Sequence, residues 1–103
     1  MDVKKLCDIL IEMKNDVLLN GSDPQKPAEK YGILFIGSKY EFDTAELLFY
    51  LNNSLGIKIS LDELHDIIPS ACKSLGMTYA PVADLSSVFD GTRRLRSYSI
   101  SLM

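Results

Sequence analysis

The spacing of the apolar residues changes along this chain, and that change limits the folds it can adopt. Up to about residue 75 most of them recur three or four positions apart, as on the buried face of a helix. Near the end they alternate with serines, which is typical of a strand with one buried face. Helices and strands in separate stretches predict an α+β fold. The 103 residues fit one domain, 1–103.

The first thirty residues predict a helix followed by a loop. Residues 2–19 have apolar side chains at helical spacing, and Asn20-Gly21 is a typical helix end. The apolar face of this helix either completes the chain's own core or pairs two copies in a homodimer. Residues 21–30 contain two prolines and no large apolar residue, which predicts a loop.

Residues 31–60 predict two short strands with a helix between them. The run YGILFIGS at 31–38 has four consecutive apolar side chains at 33–36, which indicates a strand buried on both faces. A helix is expected from Asp43, because Glu46 follows three residues later as in a capping box, and to end at Gly56. Residues 57–59 have two isoleucines around a lysine and predict a very short strand.

The next segment predicts either one helix or two. Ser60 and Glu63 form a capping box, and one apolar face continues from there as far as Gly76. Pro69 interrupts that face, and a proline inside a helix costs about 3 kcal/mol. The sequence leaves open a single kinked helix or two helices over 60–68 and 69–75.

The C-terminal part predicts an antiparallel hairpin. Residues 77–82 and 85–89 are candidate strands, and Asp90-Gly91 is a strong signal for a tight turn. Residues 92–102 are the predicted return strand of this hairpin, with Tyr98, Ile100 and Leu102 on one face and three serines on the other. The alternation indicates a half-buried strand.

The charges are divided unevenly between the two ends of the chain. Residues 1–70 have seven lysines and twelve acidic residues, a net charge of −5. Residues 71–103 have a net charge of +2, with every arginine of the chain within positions 93–96. The total of −3 disfavours a protein that coats nucleic acid without specificity. The arginines are either a solvated strand end or a contact for a polyanion or an acidic partner.

The sequence contains no pattern typical of a catalytic, metal or cofactor site. Cys7 and Cys72 lie in apolar periodic segments, as buried free cysteines do. His65 is the only histidine, and without a cysteine near it to complete a metal site it is expected to be a surface or hydrogen-bonded helix residue. We therefore expect no enzyme activity, no metal and no cofactor. No apolar run reaches the ~20 residues that span a bilayer, and the N-terminus lacks a secretory signal, so we expect a cytoplasmic protein without a membrane partner.

From about residue 43 to 102 the order of predicted elements resembles the winged helix-turn-helix family. The stretch TAELLFYLNNSLGIKISLDEL is similar to that family's first helix, short strand and start of its second helix. IIPSACKSLGM is similar to a truncated third helix, and FDGTRRLRSYSISL to the wing and closing strand. The resemblance implies a small winged-helix-like domain over 31–103, with three to four helices in the whole chain.

Two functions follow as hypotheses. In the first, the chain is a small DNA-binding module, such as a regulator or a replication or partition accessory protein. Under the two-helix interpretation, Ser70, Lys73 and Ser74 face outward for the major groove, while the wing contacts the DNA backbone through Arg93, Arg94 and Arg96.

In the second hypothesis, the chain is a protein-interaction adaptor or inhibitor from a mobile element. Its acidic part, including Asp62, Glu63 and Asp66, faces a basic partner. The basic hairpin, or the edge strand beside it, adds a second contact by strand addition.

Overall fold

A computed structural model describes residues 1–20, 25–83 and 95–103, with the side chains of residues 83, 95 and 96 excepted. The described residues form four helices and three strands, which confirms the predicted α+β class. In chain order these are α1 (Val3–Leu19), α2 (Gln25–Tyr31), β1 (Glu41–Asp43), α3 (Thr44–Asn53), α4 (Leu61–Leu75), β2 (Thr78–Ala83) and β3 (Leu95–Ser101). None of these helices has the length and apolar content needed to cross a lipid bilayer.

Helix α1 is formed as predicted and packs against α4. The carboxylate of Asp2 accepts a hydrogen bond from the amide of Lys5 at 2.8 Å and caps the helix. Its apolar face is buried in the chain's own core, through Leu6, Ile9, Leu10, Met13 and Val17. The alternative that this face completes the core therefore fits the structure, and nothing supports its use in a homodimer.

The loop predicted at 21–30 is wrong for its second half, because residues from Gln25 onward form α2. Pro27 is the third residue of this helix, where the backbone N–H has no partner within the helix and its absence costs little. Tyr31 anchors the helix, since its ring is buried and its hydroxyl donates to the carboxylate of Asp16 on α1. Residues 21–24 lie outside the described part of the chain.

The strand predicted at 31–38, buried on both faces, is wrong, since Tyr31 belongs to α2 and residues 33–36 form no strand. They form a single bridge, Ile36 to Glu41, closed by two backbone hydrogen bonds of 2.8 and 2.9 Å. Ile33 and Phe35 join the core, but Leu34 and Ile36 are each 60% exposed. A continuous apolar run has no period, so one-sided and two-sided burial look alike in the sequence.

Helix α3 begins as predicted but ends earlier. The carboxylate of Asp43 caps it by accepting from the amide of Ala45 at 2.7 Å, and the helix ends at Asn53 rather than at Gly56. The strand predicted at 57–59 is absent from these described residues. The amide of Ile57 instead bonds to the carbonyl of Leu51 at 2.9 Å, so the chain closes onto the helix end.

Residues Leu61–Leu75 form one helix with Pro69 inside it, which decides between the two alternatives. Ile68 and Ala71, on either side of the proline, are both fully buried, so one apolar face continues through it. Burial of this face outweighs the missing backbone hydrogen bond. Gly76 ends the helix with a φ of 68°, a conformation that favours glycine.

The three strands form an antiparallel sheet in the order β1-β3-β2. Phe42 pairs with Ile100, and both are buried. Glu41 and Asp43 flank Phe42 along β1, so their side chains lie on the other face of the sheet. The predicted strand at 77–82 and the return strand are confirmed as β2 and β3, paired with each other. The prediction that the return strand is half-buried is wrong, because β3 is the central strand and Ser97 and Ser101 on its other face are buried too. The predicted strand at 85–89 and the turn Asp90-Gly91 lie outside the described residues, so the hairpin stays a prediction.

Candidate functional site

The exposed face of α4 has negative charge in its first half and little charge in its second. Asp62, Glu63 and Asp66 are all exposed, and the first two lie in the first turn, where acids complement the helix dipole. In the described residues none of the three forms an ion pair with a lysine or arginine. This half of the helix therefore presents three unneutralised carboxylates to solvent.

The three residues predicted to read DNA are accessible, but they lie on the single helix α4 and not on the separate second helix that this prediction assumed. Ser70, Lys73 and Ser74 are exposed and, at spacings of three and four, share one side of the helix. Lys73 is the only lysine or arginine of this helix. The exposed surface of α4 thus combines one positive charge with three negative charges two to three turns away from it.

The arginines predicted as phosphate contacts are not brought to a described site. Arg93 and Arg94 lie outside the described residues. Arg96 belongs to β3, but its side chain is outside the description as well. Their role stays a prediction from the sequence.

A groove of about 460 Å³ lies on the face of the sheet opposite the core. Its apolar walls are the side chains of Leu34, Ile36 and Val82. The other lining residues belong to β1, the first turn of α3, and β3: Glu41, Phe42, Asp43, Ala45, Glu46 and Ser99. Folding thus leaves two large, mostly exposed aliphatic side chains beside three carboxylates.

The three carboxylates of the groove differ in how far their oxygens are already bonded. Asp43 is engaged on both sides, since Oδ1 accepts from the amide of Ala45 at 2.7 Å and Oδ2 from the hydroxyl of Ser97 at 2.9 Å. Glu41 Oε1 accepts from the hydroxyl of Ser101 at 3.3 Å. Glu46 has no hydrogen-bond partner among the described residues. Glu41 and Glu46 therefore retain oxygens for a ligand.

His65 is buried behind the sheet and is not part of either surface. Its Nε2 lies 3.2 Å from the hydroxyl oxygen of Thr44, which also accepts from the backbone amide of Tyr98 at 2.9 Å. Burial lowers the pKa of His65, while the charges of nearby aspartates partly oppose this. The sequence predicted that His65 is either a surface residue or a hydrogen-bonded helix residue, and the structure shows a hydrogen-bonded helix residue.

Both cysteines are free thiols, and only Cys72 is buried as the sequence predicted. Cys72 is fully buried, and burial raises the pKa of its thiol to about 11, which disfavours the reactive thiolate. Cys7 is half-buried, and its thiol faces the carbonyl of Ala71 at 3.8 Å. Among the described residues, no group of three or more histidine, cysteine, aspartate or glutamate side chains could hold a metal ion.

Comparisons with known protein families, with curated proteins and with solved structures give no match. The surfaces of this chain are therefore the basis for any inference about its function.

The groove was not predicted from the sequence, although the sequence contains a pattern that marks its acidic side. Glu41 and Asp43 alternate with Phe42, the pattern of a short strand with its acids on the solvent side. No signal marks Leu34 and Ile36 as walls of the groove, because they belong to a run of four apolar residues. Val82 is equally hidden, since it reaches the groove only through the pairing of β2 with β3.

Proposed function

We propose that this chain is a non-enzymatic protein-interaction module that binds a positively charged partner. The observation that supports this proposal is the set of six carboxylates on α4 and in the groove: Glu41, Asp43, Glu46, Asp62, Glu63 and Asp66. Within the described residues none of them is paired with a lysine or arginine. Unpaired carboxylates around one domain attract cationic partners and repel anionic ones.

The experiment is a binding titration with a labelled peptide of alternating leucine and arginine, followed by fluorescence anisotropy at low and high salt. We expect saturable binding at low salt that weakens as salt is added, because exposed charges are screened over about 10 Å at 0.1 M salt. The same peptide with glutamate in place of arginine is the control and should not bind. Equal binding of both peptides, or of neither, contradicts the proposal.

DNA binding is the second candidate, and the order of the elements favours it. With α2 set aside, a helix, a strand, two helices and two paired strands follow each other, which is the order expected for a winged helix. In this arrangement α1 takes the place of the first helix, rather than residues 43–55. Helix α4 becomes the recognition helix, with Ser70, Lys73 and Ser74 exposed on it. We rank this function second because the acidic residues in the first half of α4 repel phosphate.

A mobility shift with random duplex DNA at low salt tests this second function. If it is right, the double variant Arg93→Ala with Arg94→Ala weakens binding on all sequences and lowers the salt slope by about 1 for each phosphate that is no longer neutralised. Lys26→Ala with Lys58→Ala, which removes two exposed lysines elsewhere, is the charge-matched control. No retention of DNA at low salt excludes this function.

A further inference from the structure

We propose that the groove between residues 33–36, β1 and the start of α3 is where the partner binds, and that its occupant is an extended peptide segment with arginine or lysine next to an apolar residue. This inference rests on the proposed function and locates it. It separates the groove from the acidic face of α4, which carries charge without the exposed leucine and isoleucine of the groove.

The apolar part of the groove indicates that the ligand is more than a cation. Leu34 and Ile36 are each 60% exposed, whereas their neighbours Ile33 and Phe35 are buried. Both line the groove on the outer side of β1, and Val82 lines it from β2, beyond β3, so apolar side chains flank the acids on two sides. An inorganic cation or a polyamine would leave these side chains in water, whereas an aliphatic side chain would cover them.

The negative charge of the groove indicates that its occupant is positively charged. Three carboxylates line it, and no lysine, arginine or histidine does so among the described residues. Glu41 and Glu46 keep oxygens without a hydrogen-bond partner in the described part of the chain, and a guanidinium group can engage two such oxygens through its forked donors. The same carboxylates repel the phosphates of nucleic acid from this groove.

The spacing of the lining residues favours an extended peptide. Leu34 and Ile36 are two residues apart on one side of the groove, and Glu41 and Asp43 repeat this spacing on β1. Side chains two residues apart in an extended chain are separated by about 6.6 Å. An extended ligand has the same repeat, so successive side chains on one of its faces can match successive positions in the groove.

The test uses the whole chain and the leucine–arginine peptide. The wall variant, Leu34→Ser with Ile36→Ser, removes the two exposed aliphatic side chains of the groove. The charge variant, Glu41→Gln with Glu46→Gln, removes two of its three negative charges. Each should weaken binding at least about tenfold, with unchanged circular dichroism.

Two matched controls alter similar residues outside the groove. The control for the wall is Leu19→Ser, which changes an 82% exposed leucine on α1. The control for charge is Asp8→Asn with Glu29→Gln, which changes two exposed acids on α1 and α2. Both controls should bind the peptide as the parent does. A separate α4 variant, Asp62→Asn with Asp66→Asn, tests the acidic face of α4 as the competing site.

The outcomes separate this inference from the proposed function. If the α4 variant weakens binding and the groove variants do not, the groove is overturned and the interaction function stands. If only the wall variant has an effect, the occupant is not cationic and the inference is overturned. Absence of binding to the parent chain at millimolar peptide overturns both. Backbone amide shifts of residues 34–36 and 41–46 on titration provide a second measurement that does not depend on the variants.

Discussion

His65 shows how a single residue can make the stability of this chain depend on pH. The imidazole is buried against Thr44 and lies edge-on to the ring of Tyr98, at 5.1 Å between centroids. Burial disfavours the charged form and lowers the pKa of this group, against the opposing charges of Asp62, Asp43 and Asp66. The folded state therefore binds a proton less readily than the unfolded state does.

We predict that the free energy of unfolding falls as the pH drops through the unfolded pKa of histidine, about 6.5. Above that value His65 is neutral in both states and its contribution is fully present. Below it the unfolded state takes up a proton first, and stability decreases until the folded state is protonated too. Urea unfolding at pH 7.5 and 5.5 measures this change. The free energy of unfolding of the variant His65→Gln should change much less between these two pH values. An equal change in both proteins would contradict the role of His65.

At the scale of the elements, α4 depends on its N-terminal cap as well as on its apolar face. The hydroxyl of Ser60 accepts from the amide of Glu63 at 3.2 Å and so satisfies one of the free donors at the helix start. We predict that Ser60→Ala lowers the free energy of unfolding by about 1 kcal/mol. Ser74→Ala, an exposed position in the last turn of the same helix, is the matched control and should have little effect. Equal urea midpoints for the two variants would exclude a capping role.

Helix α2 is held to α1 by a small polar cluster. The hydroxyl of Tyr31 donates to Asp16, and Lys30 Nζ lies 2.8 Å from the same carboxylate and 3.4 Å from that of Glu12. The hydrogen bond from Lys30 is the largest cause that lowers the pKa of Asp16, and the hydrogen bond from Tyr31 lowers it further. This carboxylate therefore stays ionised in the folded state.

We predict that Tyr31→Phe lowers the free energy of unfolding by about 1–2 kcal/mol, because it removes a hydrogen bond to a charged group and keeps the buried ring. Tyr79→Phe is the control, since Tyr79 is 40% exposed and its hydroxyl has no partner among the described residues. Thermal unfolding of both variants measures the difference. A Tyr31→Phe protein as stable as the control would show that the bond to Asp16 contributes nothing.

The elements with a clear period or a cap were predictable from the sequence, and those defined by tertiary contacts were not. Helix α1 and the caps at Asp43 and Ser60 follow from local patterns. The unbroken course of α4 through Pro69 depends on burial against neighbours that the sequence does not reveal. Helix α2 depends on the contact of Tyr31 with Asp16, fifteen residues away. The groove needs three separate segments at one place, and no local pattern brings them together.

At the scale of the whole molecule, the apolar surface left after folding determines how the chain associates. The five core residues of α1 are covered by the chain's own helices and strands, whereas Ile11, Leu18 and Leu19 of the same helix stay exposed. Among the exposed large apolar residues, Leu34 and Ile36 share one groove with three carboxylates, and two copies of that groove would repel each other. Stable homodimers bury a large and mostly apolar interface, and the acids of this groove oppose one there.

We therefore predict a monomer with a mass near 11.5 kDa in gel filtration with light scattering at micromolar concentration. Twice that mass would contradict the prediction, and the variant Leu34→Ser with Ile36→Ser then shows whether the groove is the contact. If that variant restores the monomer, the groove is occupied by a second copy and is not free for a basic peptide. The same run with random duplex DNA tests the second function, because a monomer that elutes unchanged beside DNA at low salt has no affinity for it. Since the groove and α4 carry unpaired carboxylates, we expect a monomer whose elution position does not change when DNA is added. The leucine–arginine peptide should increase its measured mass.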